Sequence, residues 1–148
     1  MPARFVDPRA QTGQRLGART PGAGCQTRAM GLFTLAEARM ELGRLRPVLD
    51  ELVVVRADVV ELAAAVSTGG KHPLGGLPEW KAAEARLDEL MTRVQQTGAE
   101  LKGVAPLLVD FPADLDGAPV LLCWLEGEAE LAWYHRLDLG FAGRRPLP

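Results

Sequence analysis

Residues 105–146 read APLLVDFPADLDGAPVLLCWLEGEAELAWYHRLDLGFAGRRP, and the reading of this stretch decides the fold. Its apolar residues fall in short strand-like runs at 107–111, 120–125 and 130–135. Asp114-Leu115-Asp116-Gly117 and Gly127-Glu128-Ala129 supply the turns between them. Connections this short predict an antiparallel meander. The middle run is apolar on both faces: Leu121, Cys123 and Leu125 alternate with Val120, Leu122 and Trp124. A sheet with one solvated face does not read this way. One face is expected on helices, and the other beneath the C-terminal tail or a second subunit.

Upstream the period changes from two to 3.6. Thr34-Leu35-Ala36-Glu37 is a capping box, and apolar residues then recur at steps of three and four. They run Leu35, Ala38, Leu42, Leu45, Leu49 and Leu52, break at Arg56, and resume at Val59, Ala63 and Val66. Burying an unpaired guanidinium is costly, so Arg56 is expected to find a carboxylate, with Glu84 and Asp88 as candidates, or to escape to an edge. Pro47 removes one helical hydrogen bond, to the carbonyl of Gly43, and a kink is expected there.

The glycine-rich connector 67–77 (STGGKHPLGGL) fails the phosphate-loop fingerprint: Ala65 stands at the first glycine position and His72 at the Ser/Thr position. Pro78 opens a second helix whose stripe runs Trp80, Ala83, Leu87, Leu90, Val94, Thr97 and Leu101, with Gly98 as C-cap ending the helix near Thr97. Two such stripes on a short connector predict an antiparallel hairpin.

Within 148 residues the net charge is −2, but it is unevenly spread. Residues 1–29 carry Arg4, Arg9, Arg15, Arg19 and Arg28 against Asp7 alone, whereas 30–148 has eighteen acidic and twelve basic groups. An acidic folded part argues against nucleic acid as a partner. The arginine-rich start has no periodicity and is expected to be a disordered extension. Met30-Gly31-Leu32-Phe33 offers an alternative start just before the first helix, so a mis-called start explains the extension better than a functional tail. No apolar run reaches membrane length, and two cysteines, Cys25 and Cys123, make no disulfide framework. A cytoplasmic location is expected.

The chain from Leu32 to Leu147 resembles a bacterial family known as domain of unknown function 2203. The resemblance rests on Phe33-Thr34-Leu35-Ala36-Glu37-Ala38, Leu108-Val109-Asp110-Phe111-Pro112, Leu122-Cys123-Trp124, Gly127-Glu128, Trp133-Tyr134-His135 and Gly140-Phe141-Ala142-Gly143-Arg144. It implies two helices with a sheet in a cytoplasmic bacterial protein, and it carries over no activity.

Four polar residues in the strand region form a candidate cluster: Asp110, Cys123, Glu128 and His135. Cys123 with His135 has the residue types of a nucleophile and base, but its apolar neighbours favour a neutral thiol acting as a small hydrophobe. Cys123, His135 and Asp110 also offer donors suited to zinc or another transition metal, although no complete metal motif is present. His135 is expected to hydrogen-bond a carboxylate, Asp110 or Asp138. Arg144 and Arg145, beside paired glycines, are candidate anion binders.

The sequence therefore reads as α+β, a long antiparallel helical hairpin with its first helix kinked at Pro47, packed on a small three- to four-stranded antiparallel sheet. The single domain covers 30–148, with the hairpin in 30–98 and the sheet and tail in 99–148. The expected role is non-catalytic association or ligand binding as a homodimer, with the hairpin available to a further protein partner. No cofactor is called for. The alternative is a small metalloprotein or enzyme centred on the four-residue cluster.

Overall fold

The computed structural model describes residues 31–148; the basic extension over 1–29 and the reading of Met30 as a start lie outside the described residues. Helix α1 (Leu35–Thr68) begins at the expected cap. Thr34 Oγ1 accepts the Glu37 N–H at 3.2 Å, and the Glu37 carboxylate accepts the Thr34 N–H at 2.8 Å. At the far end Gly69 turns left-handed with φ 66°, which costs a residue without Cβ little. Pro47 interrupts neither the span of the helix nor its buried stripe, since Leu45, Val48 and Leu49 are all buried around it. Helix α2 (Leu77–Gln96) carries Pro78 in its first turn, where the missing N–H has no helical partner to lose. Leu90 and Val94 join Ala38, Leu42, Leu45, Leu49 and Leu52 in one core, closing the hairpin. None of the described helices is long and apolar enough to cross a membrane.

Five strands follow: β1 (Glu100–Val104), β2 (Leu107–Leu115), β3 (Ala118–Leu125), β4 (Trp133–Arg136) and β5 (Arg145–Pro146). They pair in chain order as an antiparallel meander, with a 3-10 turn at Phe141–Gly143 ahead of β5. The sheet thus has five strands, not three or four. Both additional strands sit at edges and lack an alternating apolar pattern: β1 contains Glu100, Lys102 and Gly103, and β5 is only two residues long. Gly103 is required by packing, because a Cβ there would lie 2.9 Å from the Pro106 carbonyl oxygen.

Alternation along the strands divides the sheet into two faces. Leu107, Val109, Phe111 and Ala113 of β2, with Val120, Leu122 and Trp124 of β3, face the helices and complete the core. Phe33 locks the start of α1 to this face through an N–H bond to the Pro112 carbonyl at 2.7 Å and an edge-to-face contact with Phe111 at 5.3 Å. The opposite face carries Asp110, Leu121, Cys123 and His135, all buried within one chain. The segment after β4 helps to close it: Arg144 lies 5.1 Å from the Trp133 ring and 5.0 Å from the Phe141 ring, and donates to the Cys123 carbonyl at 3.2 Å.

Arg56 has a carboxylate partner, but it comes from the sheet and not from α2. Its guanidinium pairs two-pronged with Glu126, at 2.6 Å on both arms, and donates to the Val104 carbonyl. Glu126 also accepts the Leu107 N–H at 2.8 Å. The helical stripe explains why. Past Arg56, Val59, Ala63 and Val66 are only half-buried and Leu62 alone is fully buried, so at Arg56 the helix face turns toward the β1–β2 turn. Glu84 instead pairs with Lys81, and α1 and α2 are bridged by Glu51 and Arg86 at 2.7 Å.

The Arg56 and Leu107 hydrogen bonds hold the Glu126 carboxyl below its ordinary value. Its stabilisation is therefore present above the ordinary carboxylate range and is lost as pH falls through the lowered value. Glu126→Gln should cost about 2 kcal/mol at pH 7, in the range of hydrogen bonds to charged groups. Denaturant titrations between pH 7 and pH 3 should show that the gap to the parent protein closes on acidification.

Candidate functional site

The site on the outer sheet face follows from strand register. Asp110 of β2 stands directly opposite Cys123 of β3, and His135 of β4 stands opposite Leu121, one diagonal step away. Directly opposed residues on one face lie about 4.5–5.5 Å apart at Cβ, which brings Asp110 and Cys123 together, and His135 reaches them along the diagonal from β4. Their donor atoms all lie within 4.8 Å of one another. Asp110, Cys123 and His135 are 1%, 0% and 4% exposed, so the cluster is withdrawn from bulk water.

His135 is oriented through its backbone neighbour. Its Nδ1 lies 3.0 Å from the Arg136 carbonyl oxygen, and since a carbonyl can only accept, Nδ1 carries a proton. Nε2 then faces Asp110 Oδ2 at 3.2 Å. In a neutral imidazole of this tautomer Nε2 presents a lone pair, so two acceptors would confront each other. A proton shared between the two groups, or a metal ion, reconciles them. The other carboxylate oxygen, Asp110 Oδ1, is buried without a hydrogen-bond partner.

Cys123 is a neutral thiol in this setting. Burial foremost, then the charge and contact of Asp110, push its pKa up to about 12, against a weaker downward pull from Arg144. A thiol held protonated this strongly is a poor nucleophile at neutral pH. A metal cation in the cluster would reverse that balance, because a coordinating thiol loses its proton outright.

The remaining residues singled out in the sequence go elsewhere. Glu128 turns to Arg144, with oxygens 2.8 and 2.7 Å from its Nη2, and accepts the Leu125 N–H at 2.8 Å. The Arg144 Nη2 that was expected to cradle an anion is thereby committed to Glu128 and the Cys123 carbonyl, while Arg145 is exposed on β5. Asp138 pairs with Arg136 on the surface at 3.1 Å. Two features of the site were missed in the sequence. One is the Arg136 carbonyl that fixes the histidine tautomer, a backbone group with no side-chain signature. The other is the Glu128–Arg144 pair, whose partners both stood among the candidates and whose opposite charges were the available signal.

Burial and a raised pKa together make Cys123 unreactive in the native state. In a Cys25→Ser background, native protein at pH 8 should react with an aromatic disulfide reagent far more slowly than a free thiol. One full equivalent should react once guanidinium unfolds the chain. Rapid native labelling would contradict the closed geometry.

No curated protein and no solved structure matches the chain. The model of the family described as "Uncharacterized conserved protein (DUF2203)" matches residues 31–147, from four residues ahead of α1 to the one that follows β5. The chain belongs to that family.

Proposed function

We propose that this protein binds a transition-metal ion, best suited to zinc, through Asp110, Cys123 and His135. The observation that carries the reading is the confrontation of His135 Nε2 with Asp110 Oδ2 at 3.2 Å, with the Cys123 sulfur completing a donor set inside 4.8 Å. Around a tetrahedral ion with bonds of 2.0–2.3 Å, donor atoms stand roughly 3.3–3.8 Å apart. One pair is already at that spacing, and contraction of about 1 Å brings in the rest.

An imidazolium paired with a carboxylate answers the same electrostatic need. In that arrangement the protonated Cys123 serves only as a neighbour of the Asp110 carboxylate. A metal uses all three residues. His135 has the support usual for a metal-binding histidine, its other ring nitrogen donating to a backbone carbonyl. Thiolate with imidazole favours zinc or a neighbouring late transition metal over magnesium or calcium, which take oxygen donors. Three protein donors leave a fourth tetrahedral position for water or a small ligand. Ligand binding, with a metal as the ligand, thus has more support than a purely associative role.

In a Cys25→Ser background, apo protein titrated with Co²⁺ should bind one equivalent. A thiolate-to-cobalt charge-transfer band should develop, and Zn²⁺ should displace it. Cys123→Ser should abolish the band, and His135→Gln should weaken binding by more than the ~10–100-fold of an outer-shell change. At 100 times its Kd, zinc should add about 2.7 kcal/mol of stability. Excess Mg²⁺ should add none. A band that persists in Cys123→Ser, or no stoichiometric binding at micromolar metal, would sink the reading.

A further inference from the structure

A second concavity lies on the helix side of the molecule, where α1 passes the loop that leads into β4. Arg39, Gly43 and Arg46 fall at steps of four and three, so they share one face of α1. Across from them run Ala129, Glu130 and Leu131, and the cleft between has a volume of about 430 Å³. Gly43 forms an open floor: a Cβ there would meet nothing within 4 Å.

The two arginines differ from most of their kind in what they hold. Arg44, Arg56, Arg86, Arg136 and Arg144 each hold a carboxylate. Among the described residues Arg39 and Arg46 hold none, and both rest on backbone carbonyls of the loop. Arg46 is well fixed, with Nη2 at 3.1 Å from the Glu128 oxygen and 2.6 Å from the Ala129 oxygen, and its guanidinium 4.8 Å from the Trp124 ring. Its Nε and Nη1 hydrogens remain uncommitted. Arg39 is held loosely: Nε and Nη2 share the Leu131 carbonyl, both at 3.4 Å, beyond the usual N–H···O range. Arg46 alone would pass as a loop clamp. Arg39 adds a second guanidinium whose own contacts are weak enough to exchange.

Among the described residues the only acid lining this cleft is Glu130, so the described walls carry a surplus of one positive charge. Carbonyls two residues apart in the loop are separated by at most about 7 Å. The guanidinium groups seated on Ala129 and Leu131 line the same cleft and present their N–H donors along one loop. Arginine's planar fork suits this, because paired N–H donors match paired anionic oxygens.

We infer that this cleft is a binding site for a small phosphate-bearing ligand, clasped between Arg39 and Arg46 with Gly43 leaving room for it. The site is separate from the Asp110–Cys123–His135 cluster and does not depend on it.

The test is calorimetric titration with inorganic phosphate at constant ionic strength, beside sulfate, succinate and chloride. Phosphate should bind saturably with a Kd of about 1 mM or tighter, sulfate comparably by shape and charge, and chloride not at all. Succinate binding as tightly as phosphate would reassign the site to carboxylates and overturn the phosphate assignment. Arg39→Gln should weaken phosphate binding about tenfold or more, with Arg39→Lys recovering part of it. Gly43→Leu, which improves helix propensity while filling the floor, should abolish binding without lowering the melting temperature. Cys123→Ser should bind phosphate like the parent, which separates this site from the proposed metal centre. No saturable phosphate binding, or equal binding by Arg39→Gln and Gly43→Leu, would overturn the proposal.

Discussion

The register between β2 and β3 is the constraint on which the rest of this structure depends. Val109 pairs with Trp124, Asp110 with Cys123 and Phe111 with Leu122, so every second position faces the helices. Because side chains alternate strictly, a slip of one residue would turn Val109 and Phe111 outward and drive Asp110 into the apolar core. The register is pinned at both ends. Asp114 accepts the Gly117 N–H at 2.7 Å in the β2–β3 turn, while Glu126, just past β3, is held by Arg56 and by the Leu107 N–H. The ion pair therefore secures an alignment as well as a helix. It ties α1 to the one strand pair that decides which residues meet on each face.

The outer face shows what that alignment maintains. An aspartate, a cysteine and a histidine sit together at or below 4% exposure, in a domain whose other buried side chains are apolar. Burying charged groups is costly unless they are paired and satisfied, and here one carboxylate oxygen has no partner. Replacing such a group by valine or leucine on a strand that already reads as core would raise stability at little structural cost. The unsatisfied carboxylate beside the histidine and the protonated thiol is therefore a cost to the fold, and it is this cost that motivates the metal-binding proposal.

Much of this was legible in the sequence wherever a local pattern determines structure. The Thr34–Glu37 capping box, the helical stripes, the runs at 107–111 and 120–125, and the role of Gly98 all follow from neighbours within a few positions. Asp110, Cys123 and His135 stood out by residue type, and pairing two known strands is enough to bring the first two together. What was not legible depends on distant partners. The choice by Arg56 of Glu126 over Glu84 or Asp88 follows from where the face of α1 points after six turns, which the heptad reading assigned to α2. Edge strands β1 and β5 gain their pairing from β2 and β4, and their own residues give no β signal. Glu128 leaves the cluster because Arg144, sixteen residues later, returns across Trp133 to meet it. The Arg39–Arg46 cleft needs a loop more than eighty residues away to exist at all.

That loop, between β3 and β4, is where the two sides of the molecule meet. The Glu128 carbonyl accepts both the Trp124 indole N–H at 2.8 Å and Arg46 from α1, while its side chain holds Arg144, which in turn caps the Cys123 carbonyl. One residue is thus anchored from the helix side through its backbone and from the outer face through its carboxylate. A seven-residue connection without such anchors would be among the most mobile parts of a small domain. Here the positions of Arg46 and of the Cys123 backbone are both set by the same residue. The arrangement gives Glu128 a structural importance that its place outside the Asp110–Cys123–His135 cluster would not reveal. Removing its carboxylate would leave Arg144, whose Nε is already buried without a partner, with the Cys123 carbonyl as its one hydrogen-bond acceptor among the described residues, and so an unpaired charge next to the buried site.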